Sequence, residues 1–185
     1  TAQYAGVTFK IDSIYLANVR NNATVMGEED TEADYFRGGP VEFAVIQGLI
    51  DPEANVNASF AKTYETPLVL SSESGELDAT ALGFDKYINA NQPEYAEEDG
   101  YLTRLLITGT LMDGDRELGK KYFHIPLKLV DDTGNVASNK FFKISATITG
   151  EGSPNPDEIL ENACINFSIE VAPWNVVEQT EEDTN

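Results

Sequence analysis

His124 is the only histidine in the chain. A Ser-His-Asp or Cys-His nucleophilic unit would need it as base, with a third group to orient the ring. It sits between Phe123 and Ile125 in a β-forming run, two residues before Pro126. The expectation is a strand residue with a satisfied ring nitrogen, not a catalytic base. The 32 Asp and Glu residues would permit a paired-carboxylate glycoside hydrolase, in which acid and base come from different strands. Their abundance is better explained as solubilising surface charge. Asp113-Gly114-Asp115 and Asp131-Asp132 could offer carboxylate oxygens to calcium. No D-x-[DN]-x-[DN]-G loop accompanies them, and Asp and Gly are also what a hairpin turn requires. N-x-[ST] triplets begin at Asn22, Asn57 and Asn166, the last inside a strand-like run. No P-loop, G-x-G-x-x-G or nucleophile elbow occurs. The expectation is therefore a protein without catalysis, catalytic residues, cofactor or metal.

Charge narrows the partners. The 185 residues carry 12 basic side chains against the 32 acidic ones, a net charge of -20. Nucleic-acid affinity is built largely from Lys and Arg at phosphates, so nucleic acid and anionic membranes are poor partners. Cys164 is alone, which rules out an intrachain disulfide and a paired-thiolate metal site. No apolar run approaches about 18 residues, so no transmembrane helix is expected. No signal peptide or lipid-attachment cysteine opens the chain, so an exported protein would be present in mature or trimmed form.

The elements that would position any site are strands. "GVTFKIDSIYLANV" alternates, with Val7, Phe9 and Ile11 on one face and then Ile14 and Leu16 after a phase shift. That shift predicts a bulge near Asp12–Ser13. "PVEFAVIQGLI" is mostly apolar and reads as a strand covered on both faces. "YLTRLLITGTL" is strand-like, and "KKYFHIPLKLV" carries Pro126, which places it at an edge or a bulge. "NKFFKISATIT" directs Phe142, Ile144, Ala146 and Ile148 inward; "ACINFSIEVA" does the same with Ile165, Phe167, Ile169 and Val171. Turn signals separate these runs at Arg37–Pro40, Asp113–Asp115, Asp131–Asn135 and Gly150–Pro156. One short helix is predicted over Pro52–Tyr64. Acidic loops are expected at Gly27–Asp34 and Asn91–Gly100. The fold expected is all-β, an antiparallel Greek-key β-sandwich of about seven or eight strands in one domain over residues 1–185. The first strand stands apart behind the acidic loop, so residues 1–30 read as a candidate remnant of a preceding domain. Residues 180–185 form an acidic tail.

The C-terminal third carries a more specific pattern. A strand ending Ile148-Thr149-Gly150-Glu151-Gly152 leads into the Pro/Asn-rich Ser153–Pro156, and a final strand ends Val171-Ala172-Pro173-Trp174. This combination resembles the C-terminal end of the Bacteroidetes fimbrillins, the major subunits of type V pili. Phe84–Asn91 looks like the aromatic strand opening the family's C-terminal domain, and the next two strand runs match the strands after it. "VTFKIDSIYLANV" is similar to a strand near the end of the family's N-terminal domain. The resemblance covers Phe84 to Gln179 well and the first 80 residues poorly.

The resemblance implies transthyretin-like sandwich domains and export to the outer membrane and cell surface of a Gram-negative bacterium. It implies trimming by a surface protease and polymerisation with other fimbrial subunits by donor-strand exchange. An added strand pairs the backbone groups a missing one leaves open, and it fills the apolar groove beside them. Here the donor would be Trp174–Gln179, with Trp174 and Val176, or Val177 in the other register, as groove-filling residues. The TEEDTN tail beyond is too acidic for a dry groove. Trp174 could equally close the bottom of its own sandwich, as large aromatics often do. An alternative role is a carbohydrate- or host-ligand-binding tip module in which Tyr87 and Tyr95 stack on a ligand. Stalk, anchor and tip positions are all compatible with these residues.

Overall fold

The computed structural model describes residues 7–21, 35–39, 49–51, 53–71, 82–89, 101–127, 140–158 and 165–173. The organising strand is β1, Val7–Ala17. It is flanked on one side by β5, Ala61–Ser71, and on the other by β6, Arg104–Asp113. β7, Arg116–Pro126, completes an antiparallel sheet in the order β5-β1-β6-β7. β8, Lys140–Ile148, and β9, Ile165–Pro173, pair antiparallel as a second, two-stranded sheet. A third, small sheet is built from β2 (Val19–Arg20), β3 (Tyr35–Arg37) and β4 (Asn55–Val56). Its β3/β4 contact is parallel, the one departure from antiparallel pairing among the described strands. The protein is thus all-β, with antiparallel principal sheets, as its period-two sequence predicts.

The alternation in β1 fixes which side of the sheet is core. Phe9, Ile11, Ile14 and Leu16 all join one buried cluster with Leu105, Ile107 and Leu111 of β6 and Phe123 and Ile125 of β7. Four residues of one face can share a cluster across a phase change only if the strand bulges. Both β1 ladders shift register between Ile11 and Ser13. Gly109 stands opposite Ile11, where an added Cβ would overlap the Lys10 carbonyl. The bulge and the glycine therefore explain each other. Phe9 and Phe123 meet edge-to-face at 5.1 Å, the favoured aromatic geometry.

The β8–β9 sheet covers this cluster. Phe142, Ile144, Ile148, Ile165 and Ile169 pack onto it but stay half-buried. Phe141, Lys143, Ser145 and Thr147 face solvent, in the predicted phase. Ala146 is exposed, against expectation; the inward stripe does not seal at that level. The side chains of Phe167 and Val171 lie outside the described residues.

The opposite face of the main sheet is also covered. Tyr15, Ala17, Leu106 and Ile50 form a second buried cluster. Asn18 joins β1 to β2 with φ +56, a conformation Asn tolerates better than most residues. Its side-chain amide donates to the carbonyls of Leu49 and Leu102 at 2.8 Å each, and its Oδ1 accepts from the Asp51 N–H at 2.9 Å. One buried residue thereby ties together three separate stretches of chain.

Two sequence expectations need correction. Pro52–Tyr64 is not an α-helix: it contains β4, a three-residue 3-10 turn at Ala58–Phe60, and the start of β5. Asn57 accepts from the Ser59 N–H and hydroxyl, closing a local turn that competes with helix. Phe84–Asn89 is not a strand. Leu82, Phe84 and Ile88 pack on the core, while Asn89 donates to the carbonyls of Arg20 and Asn21. Side-chain bonds thus replace a ladder. The chain bends at Gly39, and Pro40, the last residue of the expected turn, lies outside the described residues. The Gly38 N–H extends to the Leu16 carbonyl at 2.8 Å, and a Cβ on Gly39 would overlap the Tyr15 ring, so these glycines serve close packing. The apolar run at 40–50 lies almost wholly outside the described residues. Its last residue, Ile50, is fully buried.

Candidate interaction edges and a buried polar cluster

A sheet offers chemistry to another chain at its edges, where backbone N–H and C=O groups are open. β5 is a poor template. Four of its residues, Tyr64 to Pro67, stand opposite the single β1 residue Asp12 between the pairs Ser13–Thr63 and Ile11–Leu68. Pro67 also lacks an N–H. At the other edge, β7 loses register between Leu111 and Met112 of its partner, close to Gly119, whose φ is +106. Farther along, the loop after β8 closes it. The Tyr122 N–H donates to the Ser153 carbonyl at 2.8 Å, and the Ser153 N–H returns to Tyr122 at 2.9 Å. Gly152 lies over the Phe123 ring with φ +73. Pro126 ends this edge strand. Among the described residues, the regular and unpaired edges are those of the β8–β9 sheet, in register from Lys140–Pro173 to Ile148–Ile165 without a shift.

The predicted site residues are divided by this geometry. Trp174, Val176 and Val177, together with Tyr95, lie outside the described residues. β9 runs up to Pro173, so the segment bearing the first three continues directly from it. Tyr87 is 79% exposed, on the stretch that follows Phe84. Asp113-Gly114-Asp115 forms the β6–β7 hairpin, with Gly114 at φ +58 as a two-residue turn with glycine first requires. Among the described residues, no group of three His, Cys, Asp or Glu side chains is placed to hold a metal ion. Nor is any helix among them long and apolar enough to cross a membrane.

Sequence reasoning missed a polar cluster beneath the second face. Tyr15, Leu106 and His124 occupy one cross-strand row, with Arg104 and Thr108 two residues either side of Leu106 on the same face. All are buried. His124 was expected to be satisfied; instead neither ring nitrogen has a hydrogen-bond partner among the described residues. The Tyr15 hydroxyl, the Thr108 hydroxyl, and Nε and Nη1 of Arg104 share that condition. Asp157, fully buried in the loop after β8, accepts from the Ile50 N–H at 2.8 Å. Burial, then the Arg104 charge, pushes His124 down to about 4, and Asp157 pulls the other way. Burial likewise raises the Tyr15 hydroxyl and lowers the Arg104 guanidinium. In sequence these residues look like the solvent side of alternating strands. The signal that this side is covered was Gly39, whose packing on Tyr15 brings another backbone across it.

The same arrangement of strands occurs in proteins of known structure. A fimbrilin (FimA) from Porphyromonas gingivalis W83 superposes with a TM-score of 0.66 at 18% identity, covering 97% of this chain and 56% of that one. A candidate cell adhesion protein from Parabacteroides distasonis ATCC 8503 superposes with a TM-score of 0.58 at 19% identity, covering 92% and 54%. The chain thus shares the fold of these proteins and spans about half their length. No protein-family model matches the sequence. No curated protein matches it either.

Proposed function

We propose that this chain is a non-catalytic, fimbrillin-like structural or adhesive subunit of a bacterial cell-surface fimbria, exported to the outer membrane and joined to neighbouring subunits by strand exchange. The observation that carries the proposal is the imbalance between layers. Among the described residues, a four-stranded sheet faces a two-stranded one whose inward side chains are only half-buried and whose two strands pair without a register shift. An incoming strand would complete such a layer, pairing open backbone groups and burying apolar side chains together. The fold shared with a fimbrilin supports the same reading. The donor is Trp174–Gln179, leaving β9 directly, with Trp174 and Val176 or Val177 entering the partner's groove. The single domain carries the acidic 180–185 tail outside the groove.

Removing residues 174–185 tests this. The parent chain gives a concentration-dependent ladder of oligomers by light scattering, and the truncated chain stays monomeric with unchanged far-ultraviolet circular dichroism. Loss of the strand signal on truncation would place the segment in its own core and end the donor role. A parent chain that stays monomeric at every concentration would end it too.

Tyr87 supports a second reading. Its exposed ring could stack on a sugar or host ligand at a fimbrial tip. Tyr87→Ala would then abolish glycan binding and leave assembly intact; an array on which the parent protein binds no glycan removes this role.

A further inference from the structure

We propose that the His124 cluster is an acid-sensitive latch that holds the 150–158 loop on the edge of β7. The argument rests on placement. His124 points from β7 into a covered layer, and its immediate neighbour beyond Phe123 is Tyr122, the residue the loop grips through Ser153. The loop's other anchor, Asp157, reaches the Ile50 N–H beneath the same cover. Two grips and one histidine therefore lie along one short strip of the molecule.

The charges around that strip decide its response to protons. Arg104 of β6 and Asp157 of the loop act directly on His124. Tyr15 of β1 and Tyr122 of β7 stand on the same face, Arg37 of β3 acts on Tyr15, and Asp51 and Asp157 act on Tyr101 at the border. With His124 neutral, Asp157 faces the buried guanidiniums of Arg104 and Arg37. A proton on His124 adds one more buried cation beside Arg104. Both ring N–H groups would then be donors without acceptors among the described residues, and a low-dielectric interior disfavours both conditions. Opening the loop hydrates His124, Arg104 and Asp157.

The sign follows from linkage. The histidine binds protons more readily when open, near its ordinary 6.5, than when closed, near 4. The closed latch is fully favoured above 6.5 and weakens as pH falls through the window down to 4. Lowering the pH from neutral to about 5 multiplies the open population roughly 20-fold.

Hydrogen exchange of the Tyr122, Ser153 and Ile50 amides, corrected for intrinsic pH dependence, reads the latch directly. Protection of these three amides falls by that factor in the parent chain, while the Leu106 and Ile107 amides of β6 stay protected. In His124→Phe the fall disappears. Unchanged protection in the parent, or the same fall in the variant, overturns the proposal. Should His124→Phe fail to fold, the His124 ring titration by nuclear magnetic resonance in the parent decides. A midpoint well below 6.5 is required, and one at the ordinary value overturns the latch.

Discussion

Asn18 shows how much one side chain can hold. Asn18→Ala removes bonds to Leu49, Leu102 and Asp51 and keeps a left-handed backbone that alanine resists. The expected loss is roughly 3 kcal/mol in urea unfolding. Asn18→Gly loses the same bonds but adopts the left-handed backbone without strain, so it should recover about 1 kcal/mol of that loss. Equal losses for both would show that the φ angle contributes nothing. Gly39→Ala belongs to the same scale: its Cβ meets the Tyr15 ring, and a shift of a buried aromatic should cost about 1–3 kcal/mol. Legibility at this scale was poor. Asn18 and Gly39 carry no motif, because their importance comes from residues 31 or more positions away or from a ring on another strand. His124 was singled out, but its partners were invisible. Arg104 and Thr108 look like solvent-facing members of an alternating strand until another layer is known to cover them.

At the scale of elements, periodicity served well wherever burial is one-sided or the strand is central. The phase shift of β1 was readable because four large apolar residues reported both faces of the bulge. The hairpin at Gly114 and the phase of β8 were readable for similar reasons. The start of β5, Ala61–Tyr64, was misread as helix because Asn57 and Ser59 close a polar turn just before it. Phe84–Asn89 was misread because aromatic alternation reports packing, not backbone pairing. The proposed donor segment, Trp174–Gln179, lies outside the described residues. The contrast between layers gives a prediction. Ile107→Ala in central β6 should cost about 2–5 kcal/mol in chemical denaturation. Ile144→Ala in half-buried β8 should cost clearly less, and a larger loss at Ile144 would mean that the two-stranded layer is already complete.

For the whole molecule, charge sets the terms of assembly. A net charge of -20 makes every subunit repel its like, over a range set by the ions present. The range of that repulsion falls from about 30 Å at 0.01 M salt to about 8 Å at 0.15 M. Oligomer growth, followed by light scattering, should accelerate across that range, and growth that slows instead would point to attraction between opposite charges as the driving contact.

The placement of β1 has a kinetic consequence. It occupies the middle of the main sheet, yet its β6 partners, Arg104 to Asp113, come roughly a hundred residues later in the chain. No nascent chain can complete that sheet until most of it has been synthesised, and closing so long a loop makes the search slow. An unfolded polypeptide of this sequence therefore has a long interval in which a translocase or chaperone can engage it before the central strand is locked between its neighbours.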